Sequence, residues 1–274
     1  MRPFVWMVLS LSLTASAADS AATFKDPNLE ANIRTFIHGA DSAKPLTQAQ
    51  LDHVYLVSAS NKGIRDLSGL EKCPNLNTIY LSGSEVSDLT PLSKLANLEQ
   101  LTISGGKVRD LTPLAGLTHL HYLDLSLNQI TDLAPLANLR ELQTLNLSSN
   151  AITQIEPLKG LVALQSLYID GNKVADLSAV AGMKSLQILS AKDNRLSDLS
   201  PLTNLTAWRA LYLDKNQVRD LTPLVTMVQP DRQPIKGVTP FWIVSLRGNP
   251  LSEVARSRDL PELQKRTFDL LADR

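Results

Sequence analysis

Leu120-His121-Tyr122-Leu123-Asp124-Leu125-Ser126-Leu127-Asn128 reads as a short strand that ends in an asparagine turn. The same spacing of apolar residues returns along the chain at a fixed interval of 22 residues. Asp66-Leu67, Asp88-Leu89, Asp110-Leu111, Asp132-Leu133, Asp176-Leu177, Asp198-Leu199 and Asp220-Leu221 fall on one comb, and Gln154-Ile155 occupies its missing tooth. Behind most of these pairs comes Pro-Leu, as in Pro91-Leu92, Pro113-Leu114, Pro135-Leu136, Pro157-Leu158, Pro201-Leu202 and Pro223-Leu224. A repeat of this length marks a stacked array in which each unit buries its apolar face only against its neighbours.

Side chains alternate along a strand, so the two leucines of each Leu-x-Leu core point inward and the residues between them point out. Stacking then places Ile79, Leu101, Leu123, Leu145, Leu167, Leu189, Leu211 and Val244 in one inner row of a parallel sheet. At the strand exit Asn128, Asn150, Asn172, Asn194, Asn216 and Asn249 form a second column. An amide both donates and accepts, so this column is expected to satisfy buried turn backbone. Lys62, Ser84 and Gly106 replace the asparagine in the earlier units, which predicts the weakest ladder, and the first fraying, at the amino-terminal end. The comb aspartate is placed to cap the turn that follows, and proline three residues later keeps that turn short, so the convex side is expected to be 3₁₀ or irregular. One carboxylate per unit does not assemble the several oxygens that calcium needs.

Asp-Leu-x-Pro-Leu inside 22-residue units resembles the internalin-type subfamily of leucine-rich repeats, a pattern also met in phosphatase-regulatory subunits. The resemblance covers residues 54–249, about nine units. It implies an α/β-type leucine-rich-repeat solenoid with a curved parallel β-sheet on the concave side, short turns on the convex side and a helical N-terminal cap. It also implies recognition of a protein or glycan by the concave face. Internalins often carry an immunoglobulin-like domain and a wall anchor after the repeats, and this sequence has room for neither.

The ends are expected to close the stack. Arg2, the apolar run Phe4 to Leu13 and Ala15-Ser16-Ala17 read as a secretory signal over 1–17. The run is too short to cross a bilayer, and no second one follows. Residues 18–53 read as the cap: Asp26-Pro27 starts a helix, Leu29, Ile33, Phe36 and Ile37 give it an apolar face, and Thr47 with Gln50 resembles a capping box. Residues 250–274, with Leu260, Leu263, Phe268, Leu270 and Leu271 among charges, are expected to fold over the far edge. The comb breaks once: the core position after Leu211 arrives at Val244, 11 residues late, with an insertion centred on the proline-rich segment 229–240. Export to a secreted, periplasmic or cell-surface location of a bacterium, as a monomer, is the expected setting.

The 27 basic and 27 acidic residues cancel, which argues against a nucleic-acid partner. No nucleophile–base arrangement and no cofactor motif is visible, so no enzyme and no cofactor are expected. His119 and His121 lack a nearby third ligand, His38 and His53 lie in the cap region, and Cys73 shares the register of Leu95, Leu117 and Leu139 and is expected to be buried and inert.

The outward strand positions carry no packing duty and are the candidate binding residues. One column holds Tyr80, Asp124, Tyr168 and Tyr212, with Tyr122 beside Asp124; the next is serine until Asp170, Lys192, Asp214 and Arg247. Tyr168 and Tyr212, two strands apart, are expected about 10 Å from each other. The likeliest footprint is the carboxy-terminal half, although the alternating charges also read as cross-strand pairs and tyrosine is at home on any solvated strand. Trp208 takes a leucine position and reads as core, whereas Trp242 is open to core or partner contact. Two other functional classes remain: a regulatory subunit of an intracellular enzyme such as a phosphatase, and a structural envelope protein.

Overall fold

The computed structural model describes residues 24–37, 39–41, 43–228, 243–267 and 269–273. The signal segment, the insertion, His38, Trp242 and Phe268 lie outside them. Ten strands form one parallel sheet in sequence order. They are β1 (Leu56–Ser58), β2 (Thr78–Ser82), β3 (Gln100–Ser104), β4 (Tyr122–Asp124), β5 (Thr144–Asn146), β6 (Ser166–Tyr168), β7 (Ile188–Ser190), β8 (Ala210–Tyr212), β9 (Ile243–Ser245) and β10 (Asp269–Leu271).

Register follows the comb. Ile79, Leu101, Leu123, Leu145, Leu167, Leu189, Leu211 and Val244 pair in one row, and all are buried. Ala210 pairs with Ile243 and Leu211 with Val244, so the inserted residues leave the sheet register intact. Burying each leucine stabilises the fold by about 1.5–3 kcal/mol, and here the burying surface belongs to the adjacent unit.

The asparagine column ties neighbouring units together. Asn172 Nδ2 donates to the carbonyls of Leu147 (3.0 Å) in the preceding unit and Ile169 (3.0 Å) in its own, while its Oδ1 accepts from Ile152 N (3.0 Å). Asn128, Asn150, Asn194, Asn216 and Asn249 repeat this bridge, each with a carbonyl of the preceding unit. At the amino-terminal end Ser84 makes only one bond, to its own Leu81 carbonyl at 3.3 Å. The weak end is secured elsewhere: Asp26 accepts from Asn28 N and Leu29 N as helix cap, and its second oxygen accepts from Arg65 N at 2.7 Å, joining the cap to the first unit. The Phe24 ring packs on Gly69, whose φ of 108° and lack of Cβ allow that approach.

Between strand exit and asparagine the chain passes through a left-handed residue in every unit: Asn61, Gly83, Gly105, Leu127, Ser149, Gly171, Asp193, Lys215 and Gly248. Only some of these are residues that favour such backbone, so the kink is imposed by the stack. Convex turns are 3₁₀, for example Thr90–Leu92, Thr112–Leu114, Ala134–Leu136 and Ser200–Leu202. The comb aspartates accept the amide two residues on, as Asp88 does from Thr90 N (2.8 Å), and they stand one residue ahead of the formal cap position.

Helix α1 (Pro27–Thr35) buries Leu29 and Ile33 against the first unit, and α2 (Gln48–Leu51) begins with the Thr47–Gln50 capping box. Phe36 departs from the expected apolar face: it sits at the carboxy-terminal cap of α1 and is 40% exposed. One convex turn is longer, α3 (Thr222–Met227). Past β9 the chain turns through a π-helical segment, Ala255–Asp259, into α4 (Leu260–Gln264), then contributes β10 to the sheet rather than merely covering its edge.

Asn172→Ala leaves the buried Ile152 amide unpaired and removes one of two donors from the Leu147 and Ile169 carbonyls, which Asn150 and Asn194 still serve. Urea denaturation should report a loss of about 1–3 kcal/mol, the cost of one buried polar group left without a partner.

Candidate partner-binding face

The tyrosines of the sheet occupy alternate strands. Tyr80 on β2, Tyr168 on β6 and Tyr212 on β8 share one outward column with Asp124 and Asn146, and Tyr122 on β4 stands in the neighbouring column. All four rings are half-buried. The Tyr80 hydroxyl donates to Gln100 Oε1 on the next strand. Burial raises the Tyr122 hydroxyl above the usual phenol value, helped by Asp124, Tyr80 and Tyr168 nearby. Lys192 Nζ lies 4.9 Å from the centre of the Tyr212 ring, a cation–π contact.

The alternating charges form no ion pairs with one another. Asp170 Oδ1 instead accepts from the Ser190 hydroxyl (2.7 Å) at the end of β7 and from Lys192 N (2.7 Å) just past it. Asp214 repeats this with Ser245 and with Arg247 N (2.9 Å). A carboxylate one strand away from an amide and a hydroxyl reaches both, and two such bonds hold it closer than a flexible lysine head would. Asp124 is held likewise, accepting from Ser126 N (2.9 Å) and Asn146 Nδ2 (3.0 Å). Sequence reading set out the charged and aromatic residues but missed that Ser190, Ser245, Asn146 and Gln100 orient them. Diagonal bonds between columns leave no periodic trace.

Lys192, Tyr212, Asp214, Lys215, Ser245 and Arg247 line a groove of about 600 Å³ at the carboxy-terminal end of this face. Lys215, unremarked in the sequence, reaches it from the left-handed column. Of the candidate residues, Tyr80, Tyr122 and Asp124 lie farther along the sheet than the groove, and Asp170 lies between them.

Other features offer little chemistry. Trp208 is core, as its leucine register requires, and its indole N–H has no hydrogen-bond partner among the described residues. The apolar gap beside it, lined by Leu224, Met227 and Leu263 among others, is about 10 Å³, room for at most one water. His119 and His121 both lean on Glu141, at 3.3 and 3.7 Å. Among the described residues no set of three or more ligating side chains is arranged to hold a metal ion, and no helix is long and apolar enough to cross a membrane.

The stacked sheet, 3₁₀ turns and asparagine ladder define a leucine-rich-repeat solenoid. Family models for leucine rich repeats match residues 118–174, and for paired leucine rich repeats residues 96–138 and 184–226. An internalin (inlF) from Listeria monocytogenes is similar over 91% of this chain and 77% of its own, with 26% identity and a TM-score of 0.69. Internalin C2 from the same species is similar over 91% and 94%, with 29% identity and a TM-score of 0.63. A plant peptide hormone receptor, RGFR1, solved in complex with RGF2, shares the fold at 21% identity and a TM-score of 0.54 over 67% of this chain and 34% of its own. No curated protein matches the sequence significantly. In repeat and fold the chain resembles the internalins.

Cys73 is fully buried, and desolvation, followed by Glu71 and Asp52, pushes its thiol up to about 12. Ellman's reagent at about pH 8 should find no reactive thiol in the folded chain and one after guanidinium unfolding, because the thiolate is the reactive form. Rapid labelling of the native chain would show that this thiol is accessible.

Proposed function

We propose that this chain is an exported, non-enzymatic recognition module that holds a protein partner on the outward face of its sheet, with the footprint centred on Tyr168, Asp170, Lys192, Tyr212, Asp214 and Arg247. The observation that carries this reading is a continuous wall of outward side chains, none needed to pack the core, ending in the Lys192–Arg247 groove. Asp170 and Asp214 are braced by neighbouring strands, and bracing lowers the entropy lost when a partner docks. Aromatic and arginine side chains on such a wall supply most of the energy in protein interfaces. The fold is one that protein-binding modules use, and the plant receptor that shares it was solved with RGF2 bound.

Replacing Tyr168 and Tyr212 together by alanine should reduce partner capture at least tenfold, as expected when two anchors of about 1–2 kcal/mol each are lost, with the melting temperature unchanged. Capture equal to that of the unaltered chain would move the footprint off this half of the sheet. Export rests on the amino-terminal signal. Mass spectrometry of the mature protein should find its first residue directly after Ala17, and an intact amino terminus in the cytosol would favour an intracellular regulatory subunit instead.

A further inference from the structure

The outward face is not electrically uniform. Over β2–β6 its three columns contain two carboxylates, Asp124 and Asp170, three tyrosines and no lysine or arginine; every other position is Ser, Thr, Asn or Gln. Cations enter only at Lys192 on the β7 side and Arg247 past β9. Asp124 is held in place by Ser126 N and Asn146 Nδ2, which use two of about four acceptor sites on the carboxylate. Beside it stands Tyr122, two residues away on the same strand and facing the same side of the sheet.

The molecule supplies its own comparison. Tyr212 already has a cation over its ring, Lys192. Among the described residues, Tyr80, Tyr122 and Tyr168 have none, although Tyr122 has Asp124 two residues on, as Tyr212 has Asp214, and an electron-rich ring near a carboxylate favours a cation. We infer that the β2–β6 face takes a lysine or arginine side chain of the protein partner, seated over the Tyr122 ring with Asp124 as its counter-ion. This deepens the proposed function and rests on it for the kind of partner. It gives the bound protein a polarity: a basic segment lies over β2–β6, and the Lys192–Arg247 groove meets a different part of its surface.

Titration of the full chain with an acetylated hexalysine peptide at low ionic strength tests this directly. The peptide should bind, and Asp124→Asn and Tyr122→Leu should each weaken it about tenfold, whereas Tyr122→Phe, which keeps the ring face, should bind as the unaltered chain does. Asp132→Asn removes a negative charge from the convex side and should change nothing. All four variants should melt with the unaltered chain. No binding, equal binding by Asp124→Asn and Tyr122→Leu, or an equal loss in Asp132→Asn would each overturn the inference. If hexalysine fails while the Tyr168/Tyr212 double variant still loses its partner, the cation site falls and the recognition reading stands.

Discussion

Everything in this molecule depends on one constraint: no unit buries its own leucines. The row from Val57 through Val244 to Leu270 is covered only because each coil lies in register on the next. The asparagine bridges make that register exclusive, since an amide holding a carbonyl of the preceding unit and one of its own finds both only at one offset. A slip by one residue would send every inner leucine to the outer face.

The same constraint produces the outward face. Once alternate residues are committed to the core, those between them are fixed in columns a strand spacing apart, and side chains can be chosen there without cost to packing. The chain uses this freedom twice. Aspartates reach across to hydroxyls and amides next to the following strand and become braced acceptors, as Asp170 and Asp214 do, while tyrosines stand on every second strand. The stack also dictates backbone at a price: Leu127, Ser149, Asp193 and Lys215 sit in left-handed conformations that glycine occupies at the equivalent points of other units.

Both ends answer the problem of an exposed apolar cross-section by different means. At the start, Asp26 links helix and first repeat through a single carboxylate, and Asn32 donates to the Ser58 carbonyl on the outer strand. At the finish, a helical segment buries Ala255 and Leu263, and β10 continues the sheet. The first device guards an edge with side-chain hydrogen bonds, and the second extends the stack by one strand without a repeat sequence.

The sequence by itself determined the repeat, its register, the inner leucine row, the asparagine ladder and which residues face outward, because each is a consequence of period and alternation. It also placed Cys73 and Trp208 in the core through their columns. Only the tertiary structure decided what the outward residues do to one another: that Asp170 and Asp214 bind serine hydroxyls and backbone amides instead of Lys192 and Arg247, that Lys192 covers Tyr212, and that Lys215 joins the groove. It also decided that Phe36 stays exposed and that the tail becomes a strand. The reason is physical. Periodicity records contacts that recur in every unit, whereas side-chain bonds between columns, the docking of Asp26 on Arg65 N and the pairing of β10 each occur where two different stretches of chain meet once or twice.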